Sequence, residues 1–101
     1  MNATIAPTDP QRAEVRGDLL NTTVVAVLEE GKRLLSNAGG QWTVSLAGVD
    51  KVSGAGVALL LEWMREADKQ GATLRIADLP EHMKPIISIS DLEPVFETVL
   101  I

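Results

Sequence analysis

The sequence predicts an α/β fold: a mixed, mostly parallel sheet of about four to five strands, with the helices gathered mainly on one face. Three observations predict it. Segments with apolar residues at every second position take turns with segments of helical spacing, an order that crossovers between parallel strands produce. The strand-like segments alternate apolar with polar residues, unlike strands buried on both faces, so one side of the sheet is partly wet. Finally, 101 residues suffice for one core and not two, which makes residues 1–101 a single domain.

The elements follow in order. Ala3-Thr4-Ile5-Ala6 is a short extended segment, closed by the turn-rich Pro7-Thr8-Asp9-Pro10. Arg12-Ala13-Glu14-Val15-Arg16 alternates charged and apolar residues as a half-wet strand does, and Gly17-Asp18 ends it. Asn21, Thr22 and Thr23 supply N-cap chemistry for a first helix. Its apolar positions are Val24, Val27, Leu28, Gly31, Leu34 and Leu35, with Glu29, Glu30, Lys32 and Arg33 facing out. Asn37-Ala38-Gly39-Gly40 terminates it. Trp42-Thr43-Val44-Ser45-Leu46 is the next strand, with Trp42, Val44 and Leu46 on its buried side.

Val49 to Ser53 then reads as the exit of that strand and a tight polar loop, with Ser53 as the N-cap of a second helix. Val57, Leu60, Leu61, Met64 and Ala67 form its apolar face. Burying four of the large side chains contributes on the order of 6–12 kcal/mol before entropy is subtracted. Gly54 and Gly56 each cost about 1 kcal/mol against Ala inside a helix, so a pair in the first turn signals close approach to the backbone. Leu59 and Trp63 lie off the main stripe beside Glu62 and Glu66. They read either as exposed binding anchors or as the margin of a broad buried face. The helix ends near Gln70-Gly71, and Thr73-Leu74-Arg75-Ile76-Ala77 is another alternating strand. Asp78 and Glu81 are spaced as a capping box for a third helix; Pro85 kinks or shortens it. Ile86, Ile87, Ile89 and Leu92 form its buried face, and Val95 to Val99 fits a short strand or a helical turn.

Composition excludes several function classes. With no cysteine, disulfides, thiolate metal sites and cysteine nucleophiles drop out. No apolar run is longer than that from Val57 to Leu61, which is far short of the roughly 20 residues a membrane span needs, and the N-terminus lacks a signal-peptide pattern. A cytoplasmic protein without membrane insertion is expected. A net charge of −5 argues against nucleic acid, whose phosphates require clustered Lys and Arg. His82 is the only histidine and has no second His or Cys to complete a site. Gly54-Ala55-Gly56 completes neither a dinucleotide fingerprint nor a P-loop, although any helix N-terminus attracts anions weakly. No enzyme, cofactor or metal is expected.

The run Leu46-Ala47-Gly48-Val49-Asp50-Lys51-Val52-Ser53-Gly54-Ala55-Gly56-Val57-Ala58-Leu59-Leu60-Leu61 resembles the signature of STAS domains: a strand, a loop ending in Asp-Ser/Thr-x-Gly, and an apolar helix. Gly17-Asp18-Leu19 sits where such domains carry a Gly-Glu/Asp-Leu turn. Gly71 to Ile76 matches the following strand, and Leu79-Pro80-Glu81 the start of the third helix. Within the family the chain looks most like the small STAS subunit of Mla-type phospholipid-transport ABC systems of Gram-negative bacteria. That resemblance implies a non-catalytic subunit, peripheral to the inner membrane, that binds the transporter's ATPase and through it the permease. It leaves a homodimer open. The implied contacts are Asp50, Lys51, Ser53, Gly54, Ala55, Gly56, Leu59, Glu62 and Trp63. The family's other large branch, anti-sigma factor antagonists, docks the same turn on a kinase and carries a phosphorylated Ser or Thr there. Here the usual Asp is Ser53, and Gly54 and Ala55 lack a hydroxyl. Ser53 is thus the one candidate phosphoacceptor in this turn, with N-capping as its other role.

Overall fold

The computed structural model describes residues 2–101. The strands are β1 (Thr4–Asp9), β2 (Arg12–Leu19), β3 (Gln41–Val52) and β4 (Thr73–Ala77), joined in the order β1-β2-β3-β4. β1 pairs antiparallel with β2, whereas β2–β3 and β3–β4 are parallel. The crossovers are α1 (Val25–Ser36) and α2 (Gly54–Gln70). A 3-10 turn (Glu81–Met83), α3 (Lys84–Ile89) and α4 (Glu93–Glu97) complete the described chain.

Side-chain alternation divides the sheet into two faces. Ala13, Val15 and Leu19 of β2, Trp42, Val44 and Leu46 of β3, and Leu74 and Ile76 of β4 are buried in the core with Val27 and Leu35 of α1 and Val57, Leu60 and Trp63 of α2. The register aligns them into rows: Ala13 beside Val44 beside Ile76, and Trp42 beside Leu74. The opposite face carries Arg12, Glu14, Arg16, Thr43 and Arg75, half-buried or exposed. The helix-covered, half-wet mixed sheet expected from the alternation is the observed one.

Several boundaries differ from expectation. β1 runs through Pro7, which an edge strand tolerates because no ladder bond requires its missing N–H. β2 does not stop at Gly17-Asp18. Gly17 takes a positive φ of +96°, and a Cβ there would lie 2.2 Å from the Asn2 carbonyl oxygen, so glycine lets the strand bend and continue. β3 extends to Val52, because Val49 and Val52 pair with Gly17 and Leu19 and the Lys51 N–H donates to the Asp18 carboxylate at 3.2 Å. Asp50 and Lys51 therefore belong to a strand, not a loop.

The first helix has no side-chain cap. Instead the Thr23 hydroxyl accepts from the Leu20 N–H at 2.9 Å and donates to the Asp18 carbonyl at 2.5 Å, pinning the turn before α1. The Asp78–Glu81 capping box does not form. Asp78 turns left-handed (φ 58°) and accepts from the Ser45 hydroxyl at 2.8 Å. Pro85 falls in the first turn of α3, where its missing N–H costs nothing, so the third helical segment splits into a 3-10 turn and a short helix. Ile89, expected inside, is 86% exposed. The tail is helical over α4, and then the Ile76 N–H donates to Val99 and the Ile101 N–H to Ile76, a single parallel bridge along the outer edge of β4.

Candidate protein-interaction surface

The junction of β3 and α2 is built by three backbone decisions. Ser53 is extended (φ −124°, ψ −175°), and its hydroxyl accepts from the Ala55 N–H at 3.2 Å, which caps the helix as its sequence position predicts. Its own N–H donates to the Leu19 carbonyl at 3.0 Å, tying the first turn of α2 to the end of β2. The Gly56 N–H closes the turn on the Ser53 carbonyl at 2.9 Å. Gly71, left-handed at φ 69°, ends the helix.

The two glycines of this turn serve different ends. A Cβ on Gly54 would meet nothing within 4 Å, so this residue is exposed backbone facing open space. A Cβ on Gly56 would lie 3.1 Å from Leu19 Cβ and 3.2 Å from both Met83 Cε and Val52 Cγ1. Gly56 is buried because the chain itself approaches there.

Three expected contact residues thus leave the surface. Gly56 supports internal packing, Leu59 is buried, and Trp63 is completely buried. The Trp63 ring meets Trp42 edge to face at 5.5 Å between centroids and 83° between planes, and its Nε1–H donates to the Leu28 carbonyl at 3.0 Å. The buried face of α2 is broad: Gly56, Leu60, Trp63 and Ala67 run down its middle, while Leu61 and Met64 sit half-buried at its edge. Of the two readings open for Leu59 and Trp63, exposed anchors or part of a broad buried face, the structure shows the second. The recurrence of Gly56, Leu60, Trp63 and Ala67 at three- and four-residue spacing was the available signal.

Asp50, Lys51 and Gly54 are exposed, and Ser53, Ala55 and Glu62 are half-buried. Beside them lies a groove of about 200 Å³, invisible in the sequence because it forms between two helices. Val24 and Leu28 of the α1 side face Ala55, Ala58 and Leu59 of α2, with Asn21 and Glu62 at the rim. Glu62 is held by Arg65 at 2.8 Å one turn along. A helix start that bears no side chain at the exposed Gly54, next to a small apolar groove, can admit a partner backbone and seat one apolar side chain. Among the described residues, no group of three or more His, Cys, Asp or Glu could hold a metal ion, and no helix is long and apolar enough to cross a membrane.

The family model described as "Mlab, STAS domain" matches residues 5–100. No curated protein matches the chain in sequence. Among solved structures, a putative anti-sigma factor antagonist from Thermotoga maritima superposes with a TM-score of 0.73 at 10% identity, covering 97% of this chain and 84% of that one. The anti-sigma factor antagonist SpoIIAA in its unphosphorylated form gives 0.68 at 14% identity over 98% and 86%. A sulfate transporter family protein from Wolinella succinogenes gives 0.66 at 14% identity over 94% and 80%. These structures share the fold, and the family match spans nearly the whole sequence. The chain belongs to the STAS-domain family.

Proposed function

We propose that this chain is a non-enzymatic, single-domain STAS subunit that binds and supports the ATPase of a phospholipid-transport ABC transporter, on the cytoplasmic side and peripheral to the inner membrane. The observation that carries this reading is the first turn of α2. Gly54 and Ala55 present backbone and a methyl group where a phospho-regulated member of the family would present a hydroxyl, and an apolar groove adjoins them. The description "Mlab" on the matching family model supports the transporter branch. Asp50, Lys51, Ser53, Gly54, Ala55 and Glu62 are the proposed contacts from the sequence, joined by Asn21, Val24, Leu28 and Ala58 around the groove. Co-purification from native membranes and cytoplasm, with bound proteins identified by mass, tests it. Recovery of an ABC ATPase with the wild type and not with Gly54→Arg supports the assignment.

A second reading, an anti-sigma factor antagonist that docks on a serine kinase, is favoured by Ser53, whose hydroxyl stands half-buried at the helix start. A phosphate there would add about −2 charge at a helix N-terminus, where anions are stabilised. Recovery of such a kinase, with a phosphate mass added at Ser53, would favour this reading over the first.

A further inference from the structure

The net charge of −5 is unevenly spread along the chain. Residues 1–77 hold nine acids and eight bases, whereas residues 78–101 hold five acids, Asp78, Glu81, Asp91, Glu93 and Glu97, against Lys84 alone, a balance of −4. The same segment carries three of the four large apolar side chains exposed among the described residues: Ile89, Val95 and Ile101. Acidic and apolar character therefore meet on the last two helices.

A hollow of about 200 Å³ opens between α3 and α4. Leu79, Ile87, Phe96 and Leu100 give it an apolar lining, and the exposed Lys84, Glu93 and Glu97 stand around it. The Lys84 ammonium is held by Glu81 at 2.9 Å, so that pair balances itself. Glu93 and Glu97 have no hydrogen-bond or ion-pair partner among the described residues. They stand four apart on α4, where like charges repel. Glu97 also closes the helix, at the end where the dipole disfavours a carboxylate. Elsewhere the helices set a base three residues after an acid, as at Glu29, Glu30 and Glu62. The arrangement on α4 works against its own stability, as residues kept for contact with another molecule do. No cation from the neighbouring elements corrects the balance. On the other side of α4, Arg65 of α2 is held by Glu62 at 2.8 Å, and Asp68 adds a further acid.

Such a surface repels nucleic acid and anionic membranes, and its carboxylates attract Lys and Arg. We propose that the α3–α4 hollow is a second docking surface, and that its occupant is a basic segment of a partner protein. The segment seats one apolar side chain against Ile87, Phe96 and Leu100 and pairs its cations with Glu93 and Glu97. This hollow and the groove beside Ala55 share no lining residue, so the inference stands whether or not the first turn of α2 binds an ATPase.

The peptide Arg-Arg-Leu-Arg-Arg titrated into the isotope-labelled full chain at low salt is the test, with Arg-Arg-Ser-Arg-Arg and Glu-Glu-Leu-Glu-Glu as comparison probes. Saturable amide shifts centred on Ile87, Glu93, Phe96 and Glu97 are expected with the first peptide. The serine peptide should bind at least about threefold more weakly, having no apolar side chain to bury, and the acidic peptide should move none of these signals. Affinity for Arg-Arg-Leu-Arg-Arg should fall at least about tenfold in the double variant Glu93→Gln/Glu97→Gln, while Glu29→Gln on α1 should leave it unchanged. Thermal midpoints no lower than wild type establish that the variants are folded. An undiminished affinity in the double variant, shifts spread equally over Glu29 and Asp50, or a serine peptide that binds as tightly as the leucine one would overturn the proposal. So would shifts of the same residues on raising the concentration of the chain without peptide, because the hollow would then belong to a second copy.

Discussion

Gly31 marks the closest approach of α1 to α2, and adding one methyl group there should be costly. A Cβ at this position would lie 2.3 Å from Trp63 Cζ2, 2.4 Å from Cε2 and 2.6 Å from Nε1. The indole cannot yield cheaply: it is fully buried, braced edge-on against Trp42, and tied through its N–H to the Leu28 carbonyl one turn before Gly31. Overpacking of this kind costs about 1–3 kcal/mol, and pulling the Trp63 N–H from its acceptor in a dry interior costs about 1–3 kcal/mol more. Against this, Gly→Ala inside a helix returns about 1 kcal/mol of propensity. The net expectation for Gly31→Ala is a loss of about 1–5 kcal/mol. At about 4–8 °C per kcal/mol for a chain of this size, the thermal midpoint falls by roughly 4–40 °C. Urea unfolding followed by tryptophan emission reads the loss, with a lower midpoint at an unchanged slope. A variant as stable as wild type, or more so, would refute the reasoning: helix propensity would then outweigh the Trp63 contact.

Ser53→Ala removes the hydroxyl that accepts from Ala55 and should cost about 1 kcal/mol, while Ser53→Asp, which keeps an acceptor, should retain most of it; equal unfolding midpoints for all three proteins would count against the cap. Thr23→Val breaks both hydroxyl bonds that pin the turn before α1 and should cost about 1–2 kcal/mol, with amide exchange accelerating first at Leu20; unchanged exchange there would contradict it. The Arg33 guanidinium, hydrogen-bonded to Glu30, holds that carboxyl below its ordinary value of 4.5. Its folded pKa is depressed, so the stabilisation is present above the unfolded value and is lost as pH falls through the folded one. Carboxyl NMR should place the Glu30 midpoint below 4.5 and move it upward in Arg33→Gln; an unmoved midpoint would dismiss the pairing.

The sheet and its helix layer were legible because period-two and helical patterns are set by which face is buried, and burial leaves its mark directly on composition. Thr73–Ala77 and the span of α2 between Ser53 and Gly71 are such cases, since a cap at each end fixes the boundary locally. The misses share one cause, long-range structure. β3 runs on to Val52 because β2 is there to pair with it, and Asp78 abandons its cap for Ser45, 33 residues away in sequence. Trp63 goes inward because α1 closes over it at Gly31, and Leu59 is buried beside Val24 and Leu28. The groove beside Ala55 and Ala58 belongs to two helices, so no single segment could announce it. The exposed start of α2 was legible, because two glycines after an N-cap are a local anomaly. Which of the two faces solvent depended on Leu19, Val52 and Met83 closing around Gly56.

Gly54→Arg places a long charged side chain where a Cβ meets nothing within 4 Å, so it should leave the stability of the isolated chain within about 0.5 kcal/mol of wild type. We would titrate an ABC ATPase of the class proposed as partner against wild type and this variant, recording both thermal midpoints alongside. The expected result is at least a hundredfold loss of affinity, about 2.7 kcal/mol, with the midpoint unchanged. Equal affinity for the two proteins would place the ATPase contact away from the first turn of α2 and contradict the proposed surface.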